Sequence, residues 1–147
     1  VEYWHDVVKN LIYPHAQHNR NAVFVWDRSF IGNYIYGKHK KDQKALTYEE
    51  LIKLMAWLGT LFDRIDVFLL AAGNTSIERR LKARGETYVT AKEAIKIQDD
   101  YIEFFTDLVV KESPEKFNWH IHRATFNGSR KELIKYVLHN TPEYEIK

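Results

Sequence analysis

The sequence predicts an α/β fold, a parallel sheet flanked by helices, and three observations lead there. Three short apolar runs read as strands: Ala22–Trp26 (AVFVW), Val67–Ala71 (VFLLA) and Trp119–His122 (WHIH). Segments with helical spacing alternate with them, and four capping boxes mark helix starts. Strands that alternate with helices argue for parallel pairing with right-handed crossovers. The first two runs are apolar without alternation, as strands covered on both faces are. The third mixes Trp119 and Ile121 with His120 and His122, which suits an edge strand.

The helices follow in chain order. Val1–Ala16 carries Val7, Val8, Leu11 and Ile12 on one side, with Pro14 near its end. Leu51, Leu54, Met55, Leu58, Leu61 and Phe62 keep the i, i+3, i+4, i+7 spacing, as do Ile97, Tyr101, Phe104, Phe105 and Leu108, and then Leu133, Ile134, Val137 and Leu138. The capping boxes are Thr47-x-x-Glu50, Thr75-x-x-Glu78, Thr90-x-x-Glu93 and Ser129-x-x-Glu132. The apolar face of helix 51–62 fits either a dimer interface or plain core.

Composition narrows the class. The chain has 147 residues, enough for one domain over 1–147 with a sizeable core, and it is 45% hydrophobic and 29% charged, as soluble globular chains are. No apolar run approaches the roughly 18 residues of a membrane span, and no secretion signal opens the chain. Zero cysteines exclude disulfides and thiolate chemistry and fit a reducing, cytoplasmic setting. A net charge of +2 is too small to point to nucleic acid, so the placement of the cations matters more than their sum.

In parallel sheets ligands bind beyond the carboxyl ends of the strands. Asp27, Arg28 and Ser29 follow the first predicted strand directly, and Gly73-Asn74 follow the second. Arg28 offers a planar fork suited to phosphate oxygens. Asp27 offers a carboxylate of the kind that holds a hydrated Mg²⁺, which takes one or two protein carboxylates with substrate phosphates. A local ion pair or helix cap is the competing structural reading of this dipeptide. In ERRLKARGE (residues 78–86), Arg80 and Arg84 are spaced i, i+4 on one face, and Gly85 is placed to end the helix. Two guanidiniums followed by Gly85 and a polar loop with Glu86, Thr87 and Tyr88 suit a lid near residues 79–90 over a polyphosphate; a solvated basic face is the alternative. Among the aromatics, Trp4 and Tyr34 are the candidates for stacking on a base. His120 and His122 share a strand face and could bind metal, a surface pair being the simpler reading, and no nucleophilic triad is seen.

Taken in order, these segments resemble the thymidylate kinase and deoxynucleoside kinase group of P-loop kinases. A helix ending in LIYP precedes VFVWDRS, which looks like the group's strand ending in Asp-Arg. VFLLAAGNTSIERRLKARGE is similar to its strand, turn and arginine-bearing lid helix, YVTAKEAIKIQDDYIEFF to the segment after the lid, and WHIHRATFNGSRKELIKYV to the last strand, adenine loop and closing helix. The resemblance implies a three-layer P-loop-kinase-like fold and ATP-dependent phosphorylation of a deoxynucleoside monophosphate, dTMP first. The alternatives are a deoxynucleoside kinase acting on the 5′-hydroxyl and, from another class, a non-catalytic nucleotide-binding or interaction module. It implies catalytic roles for Asp27, Arg28, Arg80 and Arg84, with Asp27 as the Mg²⁺ ligand. Trp4, Ser29, Tyr34, Glu86 and Tyr88 would contact substrate, and Ala124, Thr125, Phe126 and Asn127 would lie by the adenine of ATP. Small-molecule nucleotides and a second copy of the chain are the implied partners.

The pattern departs from the group in four places. Ala72-Gly73 stands where an acid is common, Glu86 where a lid arginine can be, and Trp4 where thymidylate kinases often carry an arginine. The fourth departure is larger: nothing reads G-x-x-x-x-G-K-[ST], and the chain has only six glycines. That loop supplies the backbone N–H groups and the lysine that hold the β- and γ-phosphates. In this group it follows a strand lying between those expected at 22–26 and 67–71. A preceding segment carrying the first strand and the P-loop is therefore expected.

Overall fold

The computed structural model describes residues 2–14, 24–27, 29–41, 44–85, 89–125 and 129–140. They form a mixed α/β structure, mostly helical, with one two-stranded parallel sheet. The chain divides into two compact units, Val1–Asp63 and Arg64–Lys147.

The first unit is helical. α1 (Glu2–Val7) runs into a π-helical turn, Val8–Ile12, so the expected opening helix is present with a wider second half. α2 (Phe30–Lys40) starts where the Ser29 hydroxyl accepts from the Ile31 amide at 3.3 Å. α3 (Tyr48–Leu61) starts at a complete capping box: the Glu50 amide donates to the Thr47 hydroxyl and the Thr47 amide to the Glu50 carboxylate, each at 3.2 Å. The link between α2 and α3 is pinned by the Leu46 amide, which donates to Asn33 Oδ1 at 3.2 Å.

Val8, Phe30, Ile31, Ile35, Leu46, Leu51, Leu54, Met55 and Leu58 are buried and make this unit's core. Leu51, Leu54, Met55 and Leu58 of the apolar face of helix 51–62 are thus covered within a single chain as core, while Leu61 and Phe62 are half-buried. Gly37 is buried where a Cβ would overlap the Cβ of Ala45, so this helical glycine lets the following segment approach.

The strand expected at 22–26 is not formed over Phe24–Trp26, which belongs to no helix or strand; 22 and 23 lie outside the described residues. A strand exists through its hydrogen-bonded neighbour, and among the described residues this run has none. Val25 is accordingly 93% exposed, while the Trp26 ring packs on Trp4 and Phe30 at 6.1 and 5.9 Å.

The second unit holds the sheet. β1 (Ile65–Ala71) pairs in parallel with β2 (Trp119–Thr125), from Ile65 opposite Trp119 to Ala71 opposite Thr125. Both strands appear where the sequence predicts, each extended by two or three residues. α4 (Asn74–Arg84) follows β1 after the two-residue turn Ala72-Gly73. Gly73 is its N-cap, so the box expected at Thr75 and Glu78 does not form. The strand turns into the helix two residues earlier, and the Ile77 amide already donates to the Gly73 carbonyl at 3.0 Å.

α5 (Ala91–Glu112) starts at Thr90, whose hydroxyl accepts from the Glu93 amide at 3.1 Å. A 3₁₀ turn, Pro114–Phe117, leads into β2, and α6 (Arg130–Asn140) closes the unit from its capping box at Ser129 and Glu132. The two faces of the sheet take different helices. Arg123 donates to Thr106 of α5 at 2.6 Å, while the Tyr136 ring of α6 meets Phe68 edge-on at 6.1 Å, from the face that Phe68 shares with Asp66 and His122. Ala71, Ile97, Phe104, Phe105, Leu108 and Trp119 are the buried core.

Candidate functional site

The carboxyl end of β1 is the best-built part of the second unit. The Gln98 side chain of α5 meets the Ala72 backbone with both ends of its amide. Its Oε1 accepts from the Ala72 N–H and its Nε2 donates to the Ala72 carbonyl, each at 2.8 Å. That reciprocal pair continues the hydrogen bonding of the strand for one residue and fixes where the chain turns into α4. From this fixed start α4 presents Arg80 and Arg84 one turn apart, both exposed, and ends on Gly85 in the left-handed conformation, φ 63°. The sequence signals for this helix end, a basic last turn and then glycine, hold.

Beside the turn lies a cleft of about 280 Å³, lined by Leu70, Ala71 and Ala72 of β1 and its turn, Arg80 of α4, and Ser129, Arg130 and Leu133 at the start of α6. In the ladder, Ala124 and Thr125 stand opposite Leu70 and Ala71, so the backbone predicted to lie by the adenine flanks two residues of the cleft. Phe126 and Asn127, like Arg28, Glu86 and Tyr88, lie outside the described residues. Arg130 is the member that sequence reasoning missed. Its only signal was a position just inside a capping box, and the cleft arises from the meeting of elements far apart in sequence.

In the first unit, Asp27 is exposed, just ahead of the cap of α2. Ser29 is that cap, so its hydroxyl already serves the helix. Trp4 is half-buried in a three-ring cluster, 6.1 Å from Trp26 and 6.0 Å from Phe30, with Tyr3 edge-on at 5.0 Å. Tyr34 is half-buried, its ring 6.2 Å from that of Tyr48. Trp4 and Tyr34, expected to stack on a base, thus have aromatic neighbours of their own.

A charged cluster sits at the amino end of the sheet. Arg64 grips Asp66 through Nε and a terminal nitrogen at 3.0 to 3.2 Å, and His122 Nε2 lies 2.7 Å from Asp66 Oδ1. The Asp66 side chain is only 6% exposed. Burial pushes its carboxyl up, but the hydrogen bonds and charges of Arg64 and His122 outweigh burial and hold it below the ordinary Asp range. His122 also stacks on Phe68 at 4.6 Å. The two histidines are therefore not a simple surface pair: His122 is tied to an internal carboxylate. Among the described residues no group of three or more His, Asp or Glu is placed to hold a metal ion.

No family model matches the chain, and no curated protein and no solved structure matches it. Among the described residues no helix is long and apolar enough to cross a membrane.

Proposed function

We propose that the protein is an ATP-dependent phosphotransferase of the nucleotide-kinase type, with a deoxynucleoside monophosphate, dTMP first, as the acceptor. The observation that carries this reading is the β1–α4 connection. A parallel strand ends at a clamped two-residue turn and leads into a helix bearing Arg80 and Arg84 at the carboxyl edge, where such sheets bind ligands. Phosphoryl transfer asks a protein mainly for positioning and for cations on the migrating group, and α4 offers both. An acceptor phosphate oxygen forms the new bond to the γ-phosphorus of ATP as the bond to the ADP oxygen breaks, and Arg80 and Arg84 neutralise the charge of the transferring group.

On this reading Arg28 binds the acceptor phosphate, with Trp4, Ser29, Tyr34, Glu86 and Tyr88 around the acceptor. The 124–127 stretch lies by the adenine. Asp27 fits a role in holding Mg²⁺, since one exposed carboxylate suffices where water and phosphate complete the shell. Among the described residues β1 has a strand partner on one edge only. The reading assigns the other edge to a strand whose following glycine-rich loop cradles the β- and γ-phosphates, within a three-layer fold. The expected setting is the cytoplasm, where ATP and the acceptor are found.

Incubating the full-length protein with labelled ATP and either dTMP or thymidine tests the reading. Label in dTDP is the expected result. Label in dTMP formed from thymidine would move the protein to the deoxynucleoside kinases. No transfer to either, with no rise in melting temperature on adding ATP, would leave a module that neither binds nor turns over nucleotide.

A further inference from the structure

We infer that the cleft at the carboxyl end of β1 binds the phosphate group of a mononucleotide, and that Arg130 is one of the two residues that hold it. Arg80 comes from the helix that leaves β1 and Arg130 from the first turn of the helix that follows β2, and both line the same cleft. Among the described residues no carboxylate lies in an ion pair with either guanidinium. Two fork-shaped donors at one concavity suit the several oxygens of a phosphate better than a lone carboxylate.

The helix end is not itself the receptor, because the Glu132 carboxylate already accepts from the Ser129 amide at 3.2 Å. The cations carry the charge, and the rest of the lining sets the ligand class. Leu70, Ala71, Ala72 and Leu133 give an apolar wall for a flat organic body beside the arginines. The volume limits its size: about 280 Å³ is at the bottom of the roughly 300–1,000 Å³ of ordinary ligand sites. It has room for one phosphate-bearing moiety, not for two nucleotides in line. This goes beyond the transfer reading, because it requires only equilibrium binding and assigns it to a residue that reading does not use.

AMP and adenosine, titrated separately into the full-length protein with no second nucleotide, make the test. Expected are saturable AMP binding, binding of adenosine at least about tenfold weaker, and a loss of about tenfold in AMP affinity in Arg130→Gln, the size of one charge-assisted hydrogen bond. Arg130 is exposed, so the variant should melt with the wild type, and Arg79→Gln, on the same helix as Arg80 but outside the cleft lining, should bind AMP normally. Equal affinity for AMP and adenosine, or wild-type AMP affinity in Arg130→Gln, would overturn the proposal, as would an equal loss in Arg79→Gln. Arg130-dependent AMP binding in a protein that transfers no label from ATP would leave this site standing and sink only the kinase reading.

Discussion

Asp66 shows how one residue sets a pH dependence. A carboxylate 6% exposed needs partners to stay charged, and Arg64 and His122 supply them. Because an ionised carboxylate only accepts, His122 must carry a proton on Nε2 to make its 2.7 Å contact. The folded-state value of Asp66 lies below its unfolded value. The resulting stability is therefore present above the unfolded value and is lost as pH falls through the folded one. Asp66→Asn should cost about 1.5–3 kcal/mol at neutral pH, the range for hydrogen bonds to a charged group. The gap between variant and wild type should then shrink on acidification below the ordinary Asp range. Urea melts in a pH series would show it, and a gap independent of pH would assign the loss to packing. None of this was legible in the sequence. His120 and His122 read as an alternating pair at an edge, because the alignment that brings Asp66-Val67-Phe68 beside His120-Ile121-His122 depends on strand register, and no local pattern encodes register.

At the scale of elements, the β1–α4 turn depends on a side chain from a third element. Removing the Gln98 amide leaves the Ala72 N–H and carbonyl without their partner in a half-buried place. Gln98→Leu should cost roughly 1–3 kcal/mol and make the Ala72 amide exchange with solvent far faster than its neighbours in β1. Unchanged protection at Ala72 would mean that water replaces the clamp without loss.

The elements themselves were largely readable. Spacing found the buried faces of α3 and α5, and Thr47, Thr90 and Ser129 start their helices as their boxes predict; of the stripe expected on α6, Ile134 and Leu138 are exposed and only Leu133 and Val137 are half-buried. The failures have physical causes. Thr75 lost its cap because the Gln98 clamp starts α4 earlier. Helix α2 was not singled out: Ile31 and Ile35 keep the i, i+4 spacing, but the stripe is short and two glycines interrupt the run. AVFVW looked like a strand from composition alone, whereas Trp26 is used in an aromatic cluster. At the site, Arg80 could be found from the charge run, but Arg130 required the fold.

For the whole molecule, a net charge of +2 conceals a local concentration: α4 carries Arg79, Arg80, Lys82 and Arg84 against the single acid Glu78. Two explanations compete for Arg84, and they differ by orders of magnitude. As a cation in the last turn, it interacts with the helix dipole and is worth about 0.3–1 kcal/mol of stability at an exposed site. As a ligand of the transferring phosphate, a single arginine is worth ~10³-fold or more in rate. If the proposed transfer reading holds, Arg84→Ala should keep nearly all of the stability while kcat for dTMP phosphorylation falls by about three orders of magnitude. Arg84→Lys separates the two further: a lysine keeps the charge that the helix end favours but lacks the planar fork that grips two phosphate oxygens. It should restore the melting temperature and leave most of the kinetic defect. Recovery of both by lysine would mean that charge alone matters, and wild-type kcat in Arg84→Ala would confine the residue to the helix end.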